Sequence, residues 1–168
     1  MKNADALKQK KLFLFDIDGT LAIGDTLYKG SADLLSWIDA NGGKSYFITN
    51  NSTKSGQDYV EKFHRAFHLD TTEDQFITSG YMTIRFLKEN YADKRIYVLG
   101  TASFIQELRK NGLLVTEAAE EDAACVVVAY DSELTYEKLT QASKMLLTTD
   151  VPFYATNPDL RCPIDFGF

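Results

Sequence analysis

The sequence predicts an α/β fold built on a parallel sheet, and three observations predict it. An uninterrupted apolar run, Leu12-Phe13-Leu14-Phe15, leads into two carboxylates, Asp16 and Asp18. A helix-like pattern follows, with Leu34, Leu35 and Ile38 as an apolar stripe and Trp37 beside it, and it leads into a second β-rich run at residues 45–49. The alternation of short apolar runs and helical patterns then continues to residue 155. The first run, bounded by Lys10-Lys11 and Gly19, reads as a strand buried on both faces. Strand, helix, strand in so short a space is a βαβ unit, whose handedness makes the strands parallel neighbours or near neighbours.

Each further element is read from its own signals. Residues 1–10 read as a short polar helix or a frayed arm. Gly24, Asp25 and Gly30 mark residues 22–30 as a loop or small hairpin. Ser31 is the expected N-cap of the first long helix, which Asn41-Gly42-Gly43 closes. A second helix presents Val60, Phe63 and Phe67 on one face. Residues 76–78 read as a strand and 81–89 as a helix with Ile84 and Leu87 inward. Residues 90–94 read as a polar crossing. Strands are then expected at 96–99, 113–115, 125–130 and 152–155, with helices at 103–110 and 135–147. The acidic stretch 117–122 reads as solvated surface.

The chain has 168 residues, enough for one domain or two small ones. Apolar residues make up 45% and charged residues 25%, which supports a real core and excludes wholesale disorder. The net charge of −6 leaves no basic stripe to track phosphates, so nucleic acid is not an expected partner. A small anion held locally is not disfavoured by that charge. The two cysteines, Cys125 and Cys162, lack CxxC spacing, and Cys125 sits in an apolar run that suits packing. No disulfide framework is expected, which fits a reducing compartment. The first eleven residues carry no apolar signal region, and no run approaches a membrane span. The expectation is a cytoplasmic protein with no membrane partner; a homo-oligomer is left open.

The chemistry concentrates at Asp16-Ile17-Asp18-Gly19-Thr20. In open parallel sheets ligands collect at the carboxyl ends of strands. Residues two apart share one face of an extended segment, and like charges held that close call for a cation or a proton between them. An all-oxygen pair suits Mg²⁺, and Gly19 lets the backbone turn sharply. A calcium loop fails on spacing, because the glycine comes fourth and Leu27 stands at the twelfth position. The DxD motif of a nucleotide-sugar transferase needs a nucleotide-binding unit ahead of it, and only 15 residues precede Asp16. An aspartyl nucleophile with a neighbouring acid/base is the third reading. A loop whose acids merely cap a helix or face solvent is the bland one.

A second polar stretch, Thr49-Asn50-Asn51-Ser52-Thr53, stands at the end of the second strand and ahead of a helix. Helix N-termini suit phosphate. Taken alone, Ser52 or Thr53 could simply cap that helix. His64 and His68 lie four apart, but Arg65 stands where a zincin carries Glu, so both read as helix-surface residues.

Together, Asp16-Ile17-Asp18-Gly19-Thr20 and Ile48-Thr49-Asn50-Asn51-Ser52 resemble the haloacid dehalogenase superfamily of phosphatases, and more narrowly its NagD-like, p-nitrophenyl phosphatase branch. Phe76-Ile77-Thr78-Ser79-Gly80, Val127-Val128-Ala129-Tyr130-Asp131 with Leu134-Thr135-Tyr136, and Ala155-Thr156-Asn157-Pro158-Asp159 are similar to further stretches of that branch. The resemblance implies a Rossmann-like parallel-sheet core with an inserted α/β cap, here residues 1–91 for the first part of the core and 92–168 for the cap. It implies Mg²⁺-dependent hydrolysis of a small phosphorylated metabolite. Asp16 would be the nucleophile and Asp18 the acid/base. Asp16 and the carbonyl of Asp18 would hold the metal. Thr49, Asn50 and Gly19 would bind phosphate, with Gly19, Thr20 and the following loop as a mobile cover. Tyr130, Asp131, Asn157 and Asp159, on loops at strand ends, are the candidates for choosing the substrate, and turn formation or capping is the competing reading for each.

In the resembled family the cap is followed by a phosphate-binding Lys and a Gly-Asp motif. Here no Lys follows Lys144, no such motif follows, and the last residues are Ile164-Asp165-Phe166-Gly167-Phe168. The expectation is the first part of a longer protein whose core lacks its C-terminal strands. The alternative is a catalytically incomplete chain that binds phosphorylated ligands or a partner protein.

Overall fold

A computed structural model describes residues 4–159. Cys162 and the terminal stretch 164–168 lie outside the described residues. The chain forms two units, one from residues 4–49 and Gly56–Ile77, the other from Asn50–Ser55 and Thr78–Asp159.

The first unit begins with the short helix α1 (Ala4–Lys8) and strand β1 (Leu12–Asp16). A small antiparallel hairpin follows, β2 (Ala22–Ile23) against β3 (Thr26–Leu27). Helix α2 (Ser31–Ala40), strand β4 (Lys44–Thr49), helix α3 (Gly56–Phe67), a 3₁₀ turn (Glu73–Gln75) and strand β5 (Phe76–Thr78) complete it. The sheet order is β1-β4-β5, and β1 pairs with β4 in parallel, Leu12 opposite Lys44 and Asp16 opposite Ile48. Its core joins Ile17, Leu21, Leu35, Phe47, Tyr59, Phe63, Phe67 and Phe76. Phe63 is fully buried, and its ring lies 4.7 Å from Phe47 and 5.0 Å from both Phe67 and Phe76.

Several local expectations are corrected here. β1 is not buried on both faces: Leu12 and Leu14 are 59% and 56% exposed. Among the described residues β4 alone flanks it. Ser31 is not the N-cap of α2; Gly30, at φ 89°, holds that position. Ser31 is instead buried inside the helix and its hydroxyl donates to the Leu21 carbonyl at 3.0 Å. Leu34 leaves the buried stripe, which is made by Leu35 and Ile38. On α3 the inward face is Tyr59, Lys62, Phe63 and Phe67, with Val60 only partly covered.

The second unit contains α4 (Ser79–Tyr91), β6 (Arg95–Leu99), α5 (Ala102–Lys110), β7 (Leu114–Thr116), β8 (Cys125–Val128), α6 (Tyr136–Thr148) and β9 (Phe153–Ala155). Its four strands form an all-parallel sheet in the order β7-β6-β8-β9. Each helix has a threonine N-cap: Thr78 accepts from the Tyr81 N–H, Thr101 from Phe104 and Thr135 from Lys138. One sheet face packs with Ile84, Leu87, Phe104 and Leu108, the other with Ala142 and Met145. Two-sided cover explains the continuous apolar strands. The acidic stretch lies at the surface, as expected, and makes ion pairs there: Glu120 and Asp122 with Arg95, and Glu117 with Arg109 at 3.1 Å.

Burial has chemical consequences in this unit. Cys125 is fully buried, and loss of solvation pushes its thiol up to about 11, against an opposing effect of Lys94. The Tyr91 and Tyr154 hydroxyls are 2.9 Å apart; that bond, together with burial, pushes Tyr91 up to about 12.

Phe63→Ala is expected to cost about 3–5 kcal/mol in urea unfolding, since it removes one ring from the five-ring cluster of Phe47, Tyr59, Phe63, Phe67 and Phe76. Cys125 and Tyr91 both have raised folded values. Their contribution to stability is therefore complete at neutral pH and is lost as pH climbs through about 11 and about 12. Thermal melts should accordingly be flat near neutrality and fall in strong alkali, and a thiol reagent at pH 8 should label Cys125 only as fast as the protein opens.

Candidate functional site

β1 ends at Asp16, in register with Ile48, so Asp16 stands at the carboxyl edge of the first unit's sheet, beside the end of β4. Thr49, the last residue of β4, is buried there. The chain reverses directly after Asp16. The buried Ile17 offers its carbonyl to three amides, those of Thr20 at 3.3 Å, Leu21 at 3.0 Å and Ala22 at 3.1 Å. The Gly19 N–H closes the reversal on the Ala22 carbonyl at 2.8 Å. Gly19 has φ 88°, a region that L side chains avoid, and an added Cβ would meet no atom within 4 Å. Backbone conformation and not space therefore requires glycine here.

Asp18 lies two residues past Asp16, just beyond β1, in an isolated bridge to Ala22, and the Ile17 between the two acids is buried. The Thr20 hydroxyl donates to Asp16 Oδ2 at 2.8 Å, which fixes the carboxylate and leaves Oδ1 for a ligand. The Tyr28 N–H and the Ser31 hydroxyl anchor the turn to the start of α2, since both donate to the Leu21 carbonyl.

The next residues, Asn50–Ser55, belong to the second unit and are held by distant parts of it. Asn50 Nδ2 donates to Asp159 Oδ2 at 3.1 Å, and the Asn50 carbonyl accepts from Ser79 Oγ at 2.8 Å and Asn157 Nδ2 at 2.7 Å. Asn51 closes a local turn by accepting from the N–H and hydroxyl of Thr53. Ser52 is fully buried; its Oγ accepts from the Tyr130 N–H at 3.1 Å and from Thr156 Oγ1 at 2.9 Å. Ser52 and Thr53 therefore do not serve as caps of α3, which begins at Gly56. Three of the expected site residues, Asn50, Asn157 and Asp159, are brought together in this loop cluster. The Tyr130 side chain is exposed. The Asp131 side chain is buried between the Glu133 N–H at 2.8 Å and the Lys138 ammonium at 2.9 Å, and Lys138 also donates to the Gly100 carbonyl.

Ser52, Ser79, Thr101 and Thr156 form part of this framework and were not legible as such in the sequence. Thr101 Oγ1 donates to the Thr53 carbonyl 48 residues away, and Thr156 reaches Ser52 across 104 residues. No local spacing signals such partners.

Among the described residues no group of three or more His, Cys, Asp or Glu side chains is gathered as a metal site. His64 is exposed and bonds Asp70 at 3.0 Å. The donors at the turn, the Asp16 carboxylate and the Asp18 carbonyl, are hard oxygens. They fit Mg²⁺, which accepts one or two protein oxygens and keeps several waters. A cavity of about 380 Å³ opens at the other end of β4, lined by Leu35, Ile38, Lys44, Phe47 and Leu69, and includes neither acid. Among the described residues no helix is long and apolar enough to cross a membrane.

The family model for haloacid dehalogenase-like hydrolases matches residues 13–114. The acid sugar phosphatase of Staphylococcus aureus (strain MRSA252) is 31% identical over 162 residues, covering 96% of this chain and 61% of that protein. The crystal structure of 4-nitrophenylphosphatase from Thermotoga maritima superposes with a TM-score of 0.84 at 34% identity, covering 96% of this chain and 60% of that one. The glycerol phosphate phosphatase of Mycobacterium tuberculosis, solved with magnesium, shares the fold with a TM-score of 0.83 at 22% identity, covering 95% of this chain and 47% of its own. The chain thus spans about three fifths of the curated relative's length. It belongs to the haloacid dehalogenase-like hydrolases, in the branch of the NagD and p-nitrophenyl phosphatases.

Proposed function

We propose that this chain carries the nucleophile and the acid/base of an Mg²⁺-dependent phosphomonoester hydrolase acting on a small phosphorylated metabolite, of which sugar phosphates are the leading class. The observation that supports it is the turn after β1. Asp16 is held by Thr20 at a sheet's carboxyl edge, and Asp18 follows on a reversal pinned by Ile17. The sugar-phosphate class rests on the name of the S. aureus relative.

In this reading an Asp16 oxygen attacks phosphorus and the ester P–O bond breaks. Asp18 gives its proton to the departing alcohol oxygen. Asp18, now a carboxylate, takes a proton from water, whose oxygen attacks the phosphorus of the aspartyl-phosphate. The Asp16–phosphorus bond breaks and inorganic phosphate leaves. Two easier displacements replace one difficult one. Thr49 and Asn50 would bond the phosphoryl oxygens, with the Gly19 backbone alongside. Asp16 and the Asp18 carbonyl would hold Mg²⁺, which when bound offsets the repulsion between the nucleophile and an anionic substrate. Residues 92–168 are read as the cap, with Tyr130, Asp131, Asn157 and Asp159 as its candidates for substrate choice.

The test is hydrolysis of p-nitrophenyl phosphate and a sugar-phosphate panel by the protein as its source makes it. Turnover should require Mg²⁺ and vanish with EDTA. Asp16→Asn should abolish it, and Asp18→Asn should lower it by roughly 10²–10⁴-fold. Gly19→Ala should impair turnover through the backbone alone, with a stability loss of about 1 kcal/mol. Full activity in Asp16→Asn would remove Asp16 as the nucleophile. Tight binding of the esters without turnover would favour a ligand-binding role.

A further inference from the structure

One charged cluster in the first unit stands apart from the proposed chemistry. Lys62 lies on the inward face of α3 among Tyr59, Phe63 and Phe67, and is only 7% exposed. Its ammonium sits 5.7 Å from the centre of the Phe67 ring. An ammonium is costly to bury without favourable partners. Asp25, in the tight turn between β2 and β3, brings Oδ1 to 4.0 Å from Lys62 Nζ. Its Oδ2 lies 3.4 Å from Arg65 Nη2, one helical turn further along the same helix. Two cations of α3 therefore converge on one carboxylate at the hairpin tip.

The hairpin is short, so its tip and its base move together. Strand β2 is only two residues long, and its first residue, Ala22, is also the bridge partner of Asp18. Ala22 accepts from the Gly19 N–H as well, and donates to the Ile17 carbonyl. We propose that Asp25 is a positioning residue: through Lys62 and Arg65 it latches the β2–β3 hairpin to α3 and so fixes the turn that carries Asp18. The proposal rests on the phosphatase reading for its catalytic consequence and not for its structural one. Asp25 and Arg65 are mostly exposed, so their pair is worth little to global stability. Removing it should loosen the hairpin without unfolding the unit.

The experiment combines residue-resolved amide exchange with kinetics on the protein as its source makes it, for wild type, Asp25→Asn, Asp25→Glu and Arg65→Gln. In Asp25→Asn, exchange at Gly19, Ala22 and Tyr28 is expected to speed up by about fivefold, while amides of β4 keep their protection. With p-nitrophenyl phosphate, kcat should fall and KM should hold, because Asp18 acts on the leaving group. Asp25→Glu should recover both readouts, and Arg65→Gln should give a smaller effect in the same direction. Unchanged exchange at Gly19 and Ala22 in Asp25→Asn overturns the latch, whatever happens to kcat. Faster exchange with unchanged kcat overturns the positioning role. A wild type without any turnover would sink the phosphatase reading, and the exchange data would still decide the latch.

Discussion

The first unit depends on a single reversal of the backbone. One carbonyl, that of buried Ile17, accepts three successive amides, and the chain folds back on itself just beyond the strand's end. That reversal decides where the acids stand. Asp16 remains the last residue of β1, while Asp18 leaves the strand and enters a bridge with Ala22. Ile17, Leu21 and Ala22 tie the turn to the core, since each belongs to the buried cluster that also contains Phe47 and Phe63. Gly19 supplies the one conformation the turn needs that other residues resist. The polar atoms are thus set by an apolar anchor.

The chain's two units divide the expected site residues between them. Asp16, Asp18, Gly19 and Thr49 belong to the sheet of β1, β4 and β5 and its connecting turn. Asn50 begins a short excursion whose hydrogen bonds run to Ser79, Thr101, Tyr130, Thr156, Asn157 and Asp159. A loop with this many fixed partners has little freedom to rearrange by itself. Its side chains combine a local turn at Asn51 with long-range ties, which gives small polar residues a structural use alongside the ligand-binding one proposed for Asn50.

Much of the fold was legible because periodicity reports burial. The strands expected at 96–99 and 125–130 fall on β6 and β8, the latter ending at Val128, both central in a sheet covered on both faces, and Phe63 and Phe67 marked the inward face of α3. The same reasoning failed at β1, whose apolar run reads like theirs although, among the described residues, β4 alone flanks it and Leu12 and Leu14 are exposed. Local composition cannot distinguish a central strand from an edge when the distinction is made by neighbours elsewhere in the chain. The acidic motif stood out as a candidate site for similar reasons of local spacing. Its geometry was not, because the bond that fixes Asp16 comes from Thr20 and the turn depends on what Ile17 accepts. Ser31 illustrates the same gap: its side chain is a good cap by type, yet it bonds Leu21, ten residues back. Asp25 read as a turn residue, which it is, and nothing nearby in sequence announced Lys62 and Arg65.

The central claim is that Asp16, held at the sheet's edge by the turn, takes the phosphoryl group. Rapid acid quench during turnover of p-nitrophenyl phosphate, followed by peptide mapping, tests it most directly. A single phosphoryl group is expected on Asp16, labile to hydroxylamine as an acyl phosphate is. A phosphoryl group on any other residue, or steady turnover with Asp16 never modified, would contradict it.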